Sequence, residues 1–195
     1  MELINPSVQI ETLIDQDRIM MNLERYGRTA YKSEDKITPG SAEKFVRKII
    51  ESGHESVIEH ESLTVRFICD RGVTHELVRH RLASYTQEST RYCNYAGKVR
   101  YIVPDFALTD DDIIILQLLE EHYTKRLSQG LKPQQARYFL PNGLKTEIVA
   151  TMNLRQWRHV LRQRTSPFAH PQMRQLMNLL RDSLKEKLPV IFGDL

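Results

Sequence analysis

A change of hydrophobic period within one short stretch narrows what this chain can become. Between Ser41 and Ser52 the apolar residues Phe45, Val46, Ile49 and Ile50 recur at helical spacing, and the run stops at Gly53, a residue suited to a left-handed helix cap. From Leu63 the pattern alternates, with Leu63, Val65, Phe67 and Cys69 on one side and Thr64, Arg66 and Ile68 on the other, until Asp70, Arg71 and Gly72 end it. Helical stripe and half-buried strand must cover one another, so the expected class is α+β. With 195 residues and no repeat, low-complexity tract or flexible linker, residues 1–195 are expected to form a single domain.

The remaining punctuation extends this reading. Thr74 to about Ala83 reads as a short helix and Ser84 to Asn94 as a polar loop. Thr109, followed by Asp110, Asp111 and Asp112, opens a helix that should run to Gly130, because the hydroxyl caps free amides and the acids favour the positive end of the dipole. Pro133 opens a short helix that Pro141 closes. A strand is expected near Ile148 to Met152, a helix capped by Asn153 reaching Arg164, and a final amphipathic helix from His170 to about Lys187, with Met173, Leu176, Met177 and Leu180 inward.

Charge and motifs remove several function classes. Lys plus Arg number 28 against 25 Asp plus Glu, and a net charge of +3 does not call for a polyanionic partner. No apolar run is long enough to span a membrane and the N-terminus does not read as a signal peptide, so a cytoplasmic setting without membrane contact is expected. Cys69 and Cys93 form no CxxC pair. His54, His75 and their acidic neighbours miss His-Glu-x-x-His spacing, since Ile58 and Arg79 stand where the second His belongs; no metal site is expected. Hydrolase elbow, P-loop and dinucleotide-fold glycine motifs are absent from the sequence.

Two constellations remain. Arg79, His80 and Arg81 precede, by seven residues, Ser89, with Arg91 and Tyr92 beyond. If the triplet continues a helix, its cations fan around the axis in steps of about 100° and need several partners. The loop offers Ser84, Thr86, Gln87, Ser89, Thr90 and the fork of Arg91, donors suited to a phosphate. The second constellation places Arg155, Arg158, Arg162 and Arg164 where no acid occurs between Glu147 and Asp182, which reads as uncompensated charge seeking anions. Trp157, Val160 and Leu161 share one face of that helix with Asn153 and Arg164 and read as core; Arg155, His159 and Arg162 share the neighbouring face.

Arg79-His80-Arg81, seven residues, then Ser89-Thr90-Arg91-Tyr92 resembles the signature of the flavin-dependent thymidylate synthases. His54-Glu55-Ser56 with Glu59-His60, Ala136-Arg137 with Leu140-Pro141, and Asn153-Leu154-Arg155 through Arg164 resemble further blocks of that family, in its order; the first forty residues match only loosely. The resemblance implies a mixed α/β protomer with an antiparallel sheet and long helices in a homotetramer, with sites where subunits meet. It implies reductive methylation of dUMP to dTMP, with methylenetetrahydrofolate as carbon donor, FAD relaying hydride and NADPH as reductant. It further implies that Ser56, Arg79, His80, Arg81, Gln87, Asn153, Leu154, Arg155 and His159 contact the flavin. Nucleotide contacts fall to Glu76, Leu77, Val78, Arg79, Gln87, Glu88, Ser89, Thr90, Arg91, Arg137 and Arg164, and Arg164 takes the catalytic role of holding charge on the uracil. Gln87, Glu76 and His159 depart from residues common in relatives, which bears on fine specificity. The alternatives are a flavin-dependent methyl- or hydroxymethyltransferase for another pyrimidine nucleotide, and a basic nucleic-acid-binding module.

Overall fold

The computed structural model describes residues 1–195. Six strands and eight α-helices follow one another as β1 (Glu2–Ile4), β2 (Ser7–Ile10), α1 (Gln16–Arg28), α2 (Ser41–Glu51), β3 (Ser62–Asp70), α3 (Arg71–Leu77), β4 (Ser84–Gln87), β5 (Arg100–Ile102), α4 (Asp110–Ser128), α5 (Pro133–Ala136), β6 (Lys145–Asn153), α6 (Leu154–Arg164), α7 (Pro171–Lys187) and α8 (Pro189–Phe192). A 3-10 segment, Glu55–His60, precedes β3, and another, Arg137–Phe139, follows α5. The class is the expected mixture of helix and sheet. A four-stranded sheet has the order β2-β3-β6-β4, and a separate pair joins β1 to β5 in parallel, Leu3 opposite Tyr101. Along β3 and β6 the paired side chains run in opposite senses, Thr64 with Thr151 and Arg66 with Glu147, as antiparallel neighbours must.

The chain divides into two compact units. The first comprises Met1–Val8, Arg66–His80 and Tyr85–Val149. Its core gathers Tyr95, Val99, Tyr101, Tyr123, Ala136 and Leu144. Burial pushes the Tyr101 phenol up to about 12. Here α4 starts on a complete capping box, Thr109 accepting from the Asp112 amide while the Asp112 side chain accepts from Thr109. That reciprocal bonding holds the exposed Asp112 carboxyl below its ordinary value.

The second unit comprises Gln9–Val65, Arg81–Ser84 and Ala150–Leu195. Its helices pack α1 on α2, α6 on α7, and α8 on both α2 and α7. Close approach of the first pair depends on Gly27, where a Cβ would stand 2.6 Å from the Phe45 ring. Gly53 ends α2 in the left-handed region, φ 72°, as its position in the sequence suggests. Trp157 is fully buried and its indole N–H donates to the Leu63 carbonyl at 3.0 Å, so the apolar face of α6 is core, as its periodicity indicates.

Boundaries around α3 and β4 differ from the sequence reading, and β6 begins earlier than expected, at Lys145. Asp70, expected only to end the strand, caps α3 by accepting from the Val73 amide at 2.8 Å, so the helix begins at Arg71 and finishes at Leu77. The Arg79-His80-Arg81 triplet therefore lies beyond the helix, and its cations do not fan around a helical axis. The start of the expected loop is strand β4. Tyr85 supplies the reason: its hydroxyl donates to the carbonyls of Leu77 and His80, at 2.7 and 2.9 Å, closing the helix end and fixing the new strand against it. Burial raises this phenol to about 12, so it keeps its proton as the donor.

Candidate functional site

In the first unit Gln87, the last residue of β4, and the turn that follows it to Arg91 are tied down on both flanks. On one flank, the Gln87 amide nitrogen donates to the hydroxyls of Thr74 and Thr146, at 3.0 and 3.3 Å, and the Glu88 backbone amide donates to the Glu147 carbonyl at 2.8 Å. On the other, α5 and the segment after it deliver two guanidinium groups. Arg137 donates to the hydroxyl of buried Thr90 at 3.3 Å, and Arg91 donates through Nε to Gln134 at 3.1 Å. Within the turn the Tyr92 and Cys93 amides both donate to the Ser89 carbonyl. Arg91 and Arg137 are exposed beside this turn, so the local field favours a compact, multiply charged anion.

The neighbouring positions are split by burial. Arg79 and Val78 are exposed in the turn after α3, Glu76 is half-buried, and His80 is only 7% exposed. Leu77 is fully buried with its carbonyl taken by Tyr85, so its side chain belongs to the core.

In the second unit α6 supplies one wall of a cleft of about 610 Å3 bounded by Glu55, Glu59, Leu82, Asn153, Arg155, Gln156, His159 and Arg162. Asn153, Arg155 and His159 are thus brought together. The Asn153 side-chain oxygen Oδ1 accepts from the Gln156 backbone amide at 2.8 Å as the helix cap, while Leu154 is fully buried with its amide donating to the Glu61 carbonyl. Ser56 is exposed in the 3-10 segment next to Glu55, Arg81 is exposed, and Arg164 is half-buried at the C-terminal end of α6, where the helix dipole favours a cation.

The basic helix is not uncompensated. Arg155 pairs with Glu59 at 2.5 Å; Arg158, fully buried, donates to Glu55, to both oxygens of Asp194 and to the Ile191 carbonyl; and Arg162 reaches Glu55 and Asp194 at 3.2 and 3.5 Å. Burial opposes the charge on Arg158, but the bonds from Asp194 and Glu55 outweigh it and push its pKa up, while Arg158 in turn holds the Asp194 carboxyl below the usual carboxylate range. Glu55 and Glu59 stand out in the sequence as parts of a family block, but nothing local marks them or Asp194 as partners of these arginines, because each is remote in sequence. The Arg155–Glu59 pair is 51% and 42% exposed, a geometry worth little in water, so Arg155 can exchange its carboxylate for a ligand's phosphate. With the exposed imidazole of His159 and the amide of Gln156, the donor set fits an anionic ligand with polar ring edges, such as a flavin dinucleotide.

Of the two thiols, Cys93 closes the turn through its backbone amide and Cys69 lies within β3. The Cys69 thiol is buried, and burial together with the Asp70 charge raises its pKa, so it remains a thiol. No three His, Cys, Asp or Glu side chains gather as a metal site, and no helix is long and apolar enough to cross a membrane.

A family model described as thymidylate synthase complementing protein, Thy1, matches residues 12–190. The flavin-dependent thymidylate synthase of Corynebacterium efficiens is 34% identical over 196 residues, covering 88% of this chain and 78% of that one. The protein of the same name from Pyrococcus furiosus is 33% identical over 143 residues, 69% of this chain and 59% of that one. Among solved structures, the UMP/dUMP methylase PolB from Streptomyces cacaoi, bound with 5-Br dUMP, superposes with a TM-score of 0.81 at 23% identity over 99% of this chain and 96% of that one, which establishes a shared fold. The match over residues 12–190 and the 34% identity to a relative covered over 78% of its length place this chain in the flavin-dependent thymidylate synthase family.

Proposed function

We propose that the protein methylates dUMP reductively to dTMP, binding FAD and taking its carbon from methylenetetrahydrofolate and its electrons from NADPH. The observation that carries this reading is the delivery of Arg91 and Arg137 to the turn Ser89–Thr90, with Gln134 and Thr90 fixing the two guanidinium groups. A nucleotide monophosphate is the compact anion that such a pair recognises. Glu76 and the 87–91 backbone then address sugar and base, assisted by Val78 and Arg79, with Leu77 supporting them from the core. To Arg164 falls the catalytic role: a permanently charged guanidinium stabilises the negative charge that builds as the pyrimidine ring carbon becomes nucleophilic. The flavin is held by Ser56, Arg79, His80, Arg81, Gln87, Asn153, Leu154, Arg155 and His159, Leu154 through its backbone; when bound, FAD supplies the hydride relay. No cysteine is asked to attack the pyrimidine.

Residues 1–195 act as one catalytic domain in the cytoplasm, assembled as a homotetramer. Support for assembly comes from α4, where Ile114, Ile115 and Leu118 are 51%, 55% and 56% exposed, a cluster that water disfavours.

The purified protein is expected to be yellow or to become so with FAD, and dUMP is expected to perturb its flavin absorbance. A protein that neither carries nor takes up flavin overturns the reading; a spectrum that responds to UMP but not dUMP reassigns it to another pyrimidine nucleotide.

A further inference from the structure

Beneath the 87–91 turn lies a line of ionic and hydrogen-bonded groups. Lys145, only 8% exposed, donates to Glu88 Oε2 at 2.7 Å and reaches Glu147 at 3.5 Å; Glu147 is held from its other side by Arg66. The second oxygen of Glu88, Oε1, accepts from the Tyr95 hydroxyl at 2.8 Å. The Glu88 carboxylate is therefore turned down onto β6 and Tyr95, although its backbone neighbours Ser89 to Arg91 form the anion cradle.

Two physical features make this line a fixed support. Burial, reinforced by the bond to Glu88, raises the Tyr95 phenol far above its ordinary value, so it stays a donor. Burial works against ionising Glu147, but Arg66 and Lys145 overcome it and hold the carboxyl low. A lysine this buried costs much to leave unpaired, so the Glu88 carboxylate is drawn to one place. Because Glu88, Tyr95 and Lys145 also border a cleft of about 570 Å3, replacing them with side chains of similar size does not overpack the unit.

We propose that Glu88 is a positioning residue for nucleotide binding: its carboxylate, clamped between Lys145 and Tyr95, sets the placement of the Ser89–Arg91 turn, and the Lys145–Glu88 pair tunes affinity for the substrate phosphate without touching it. This inference rests on the assignment of the 87–91 turn to a nucleotide. It gives Lys145, Glu147, Arg66 and Tyr95 a purpose that the reaction itself does not.

The test uses the FAD-loaded protein and its Glu88→Gln, Lys145→Met, Lys145→Arg and Glu88→Gln/Lys145→Met variants, titrated with dUMP by flavin absorbance and assayed for turnover. Glu88→Gln and Lys145→Met are each expected to raise the dUMP Kd and KM about tenfold, a loss larger than any in kcat, since truncating one partner of a buried charge pair is costly. The double variant is expected to be no worse than the poorer single one, because both remove a single shared interaction. Lys145→Arg is expected to recover most of the affinity. Glu88→Gln with wild-type Kd overturns the proposal, as does a loss confined to melting temperature or flavin content. If the wild-type holoprotein ignores dUMP, the nucleotide assignment fails and the proposal with it; if the wild type responds and Glu88→Gln matches it, only the proposal fails.

Discussion

Arg158 shows at the scale of one residue how a charge can leave the surface. Its guanidinium is fully buried, with Glu55, Asp194 and the Ile191 carbonyl supplying acceptors for its donors. Asp194 thereby has a folded-state pKa below its unfolded one, so the stability it contributes is fully present above the ordinary carboxylate pKa and is lost as pH falls through the folded value. Asp194→Asn is expected to lower stability by about 1–2 kcal/mol at neutral pH, since Glu55 remains and the Asp194 side chain is half exposed. The gap from wild type should close in acid, which urea unfolding at a series of pH values would measure. Arg164→Ala is expected to retain flavin while losing about two orders of magnitude in turnover, the scale of a lost electrostatic contact to the reacting group; flavin content and kcat determined on one preparation would test it. In the sequence the cations were legible and their partners were not. Glu55 stands 103 residues before Arg158, and chain periodicity carries no information about contacts at that separation.

At the scale of elements, the segments with strong local rules were the readable ones. α4 and α6 start at Thr109 and Asn153 because side-chain caps act within three residues, and α7 keeps Met173, Leu176, Met177 and Leu180 buried because one stripe fixes its face. β4 was illegible because Ser84-Tyr85-Thr86-Gln87 shows no apolar alternation; what makes it a strand is its pairing with β6, anchored by the side chains of Tyr85 and Gln87. The N-terminal limit of α3 turned on whether Asp70 ends a strand or caps a helix, and it does both. Thr109→Ala removes half of the capping box and is expected to lower the melting temperature by about 2–4 °C, with little effect on flavin or dUMP binding because α4 bears none of the assigned site residues.

For the whole molecule, the small net charge conceals a sorted distribution. Residues 105–121 hold six acids and no Lys or Arg, whereas 148–181 hold six Arg and no acid. Sorting along the chain was plain in the sequence, and the structure then balances much of the basic stretch internally, leaving Arg155 and Arg162 at the cleft wall. The acidic stretch covers the start of α4, where Ile114, Ile115 and Leu118 are exposed between charged turns. Ile115→Glu is expected to shift the particle mass from that of the proposed tetramer toward smaller species, read by light scattering on the eluting protein; an unchanged mass would remove α4 from the proposed interface.

The lone indole of Trp157, sealed in the second unit with its N–H on the Leu63 carbonyl, is also an optical probe placed by the fold. Its native emission should be blue-shifted and should move to the red only when α6 parts from β3. Denaturant curves for each variant can thus be followed without a label, and because apoprotein and flavin-loaded protein share that probe, flavin affinity can be obtained from the difference between their midpoints.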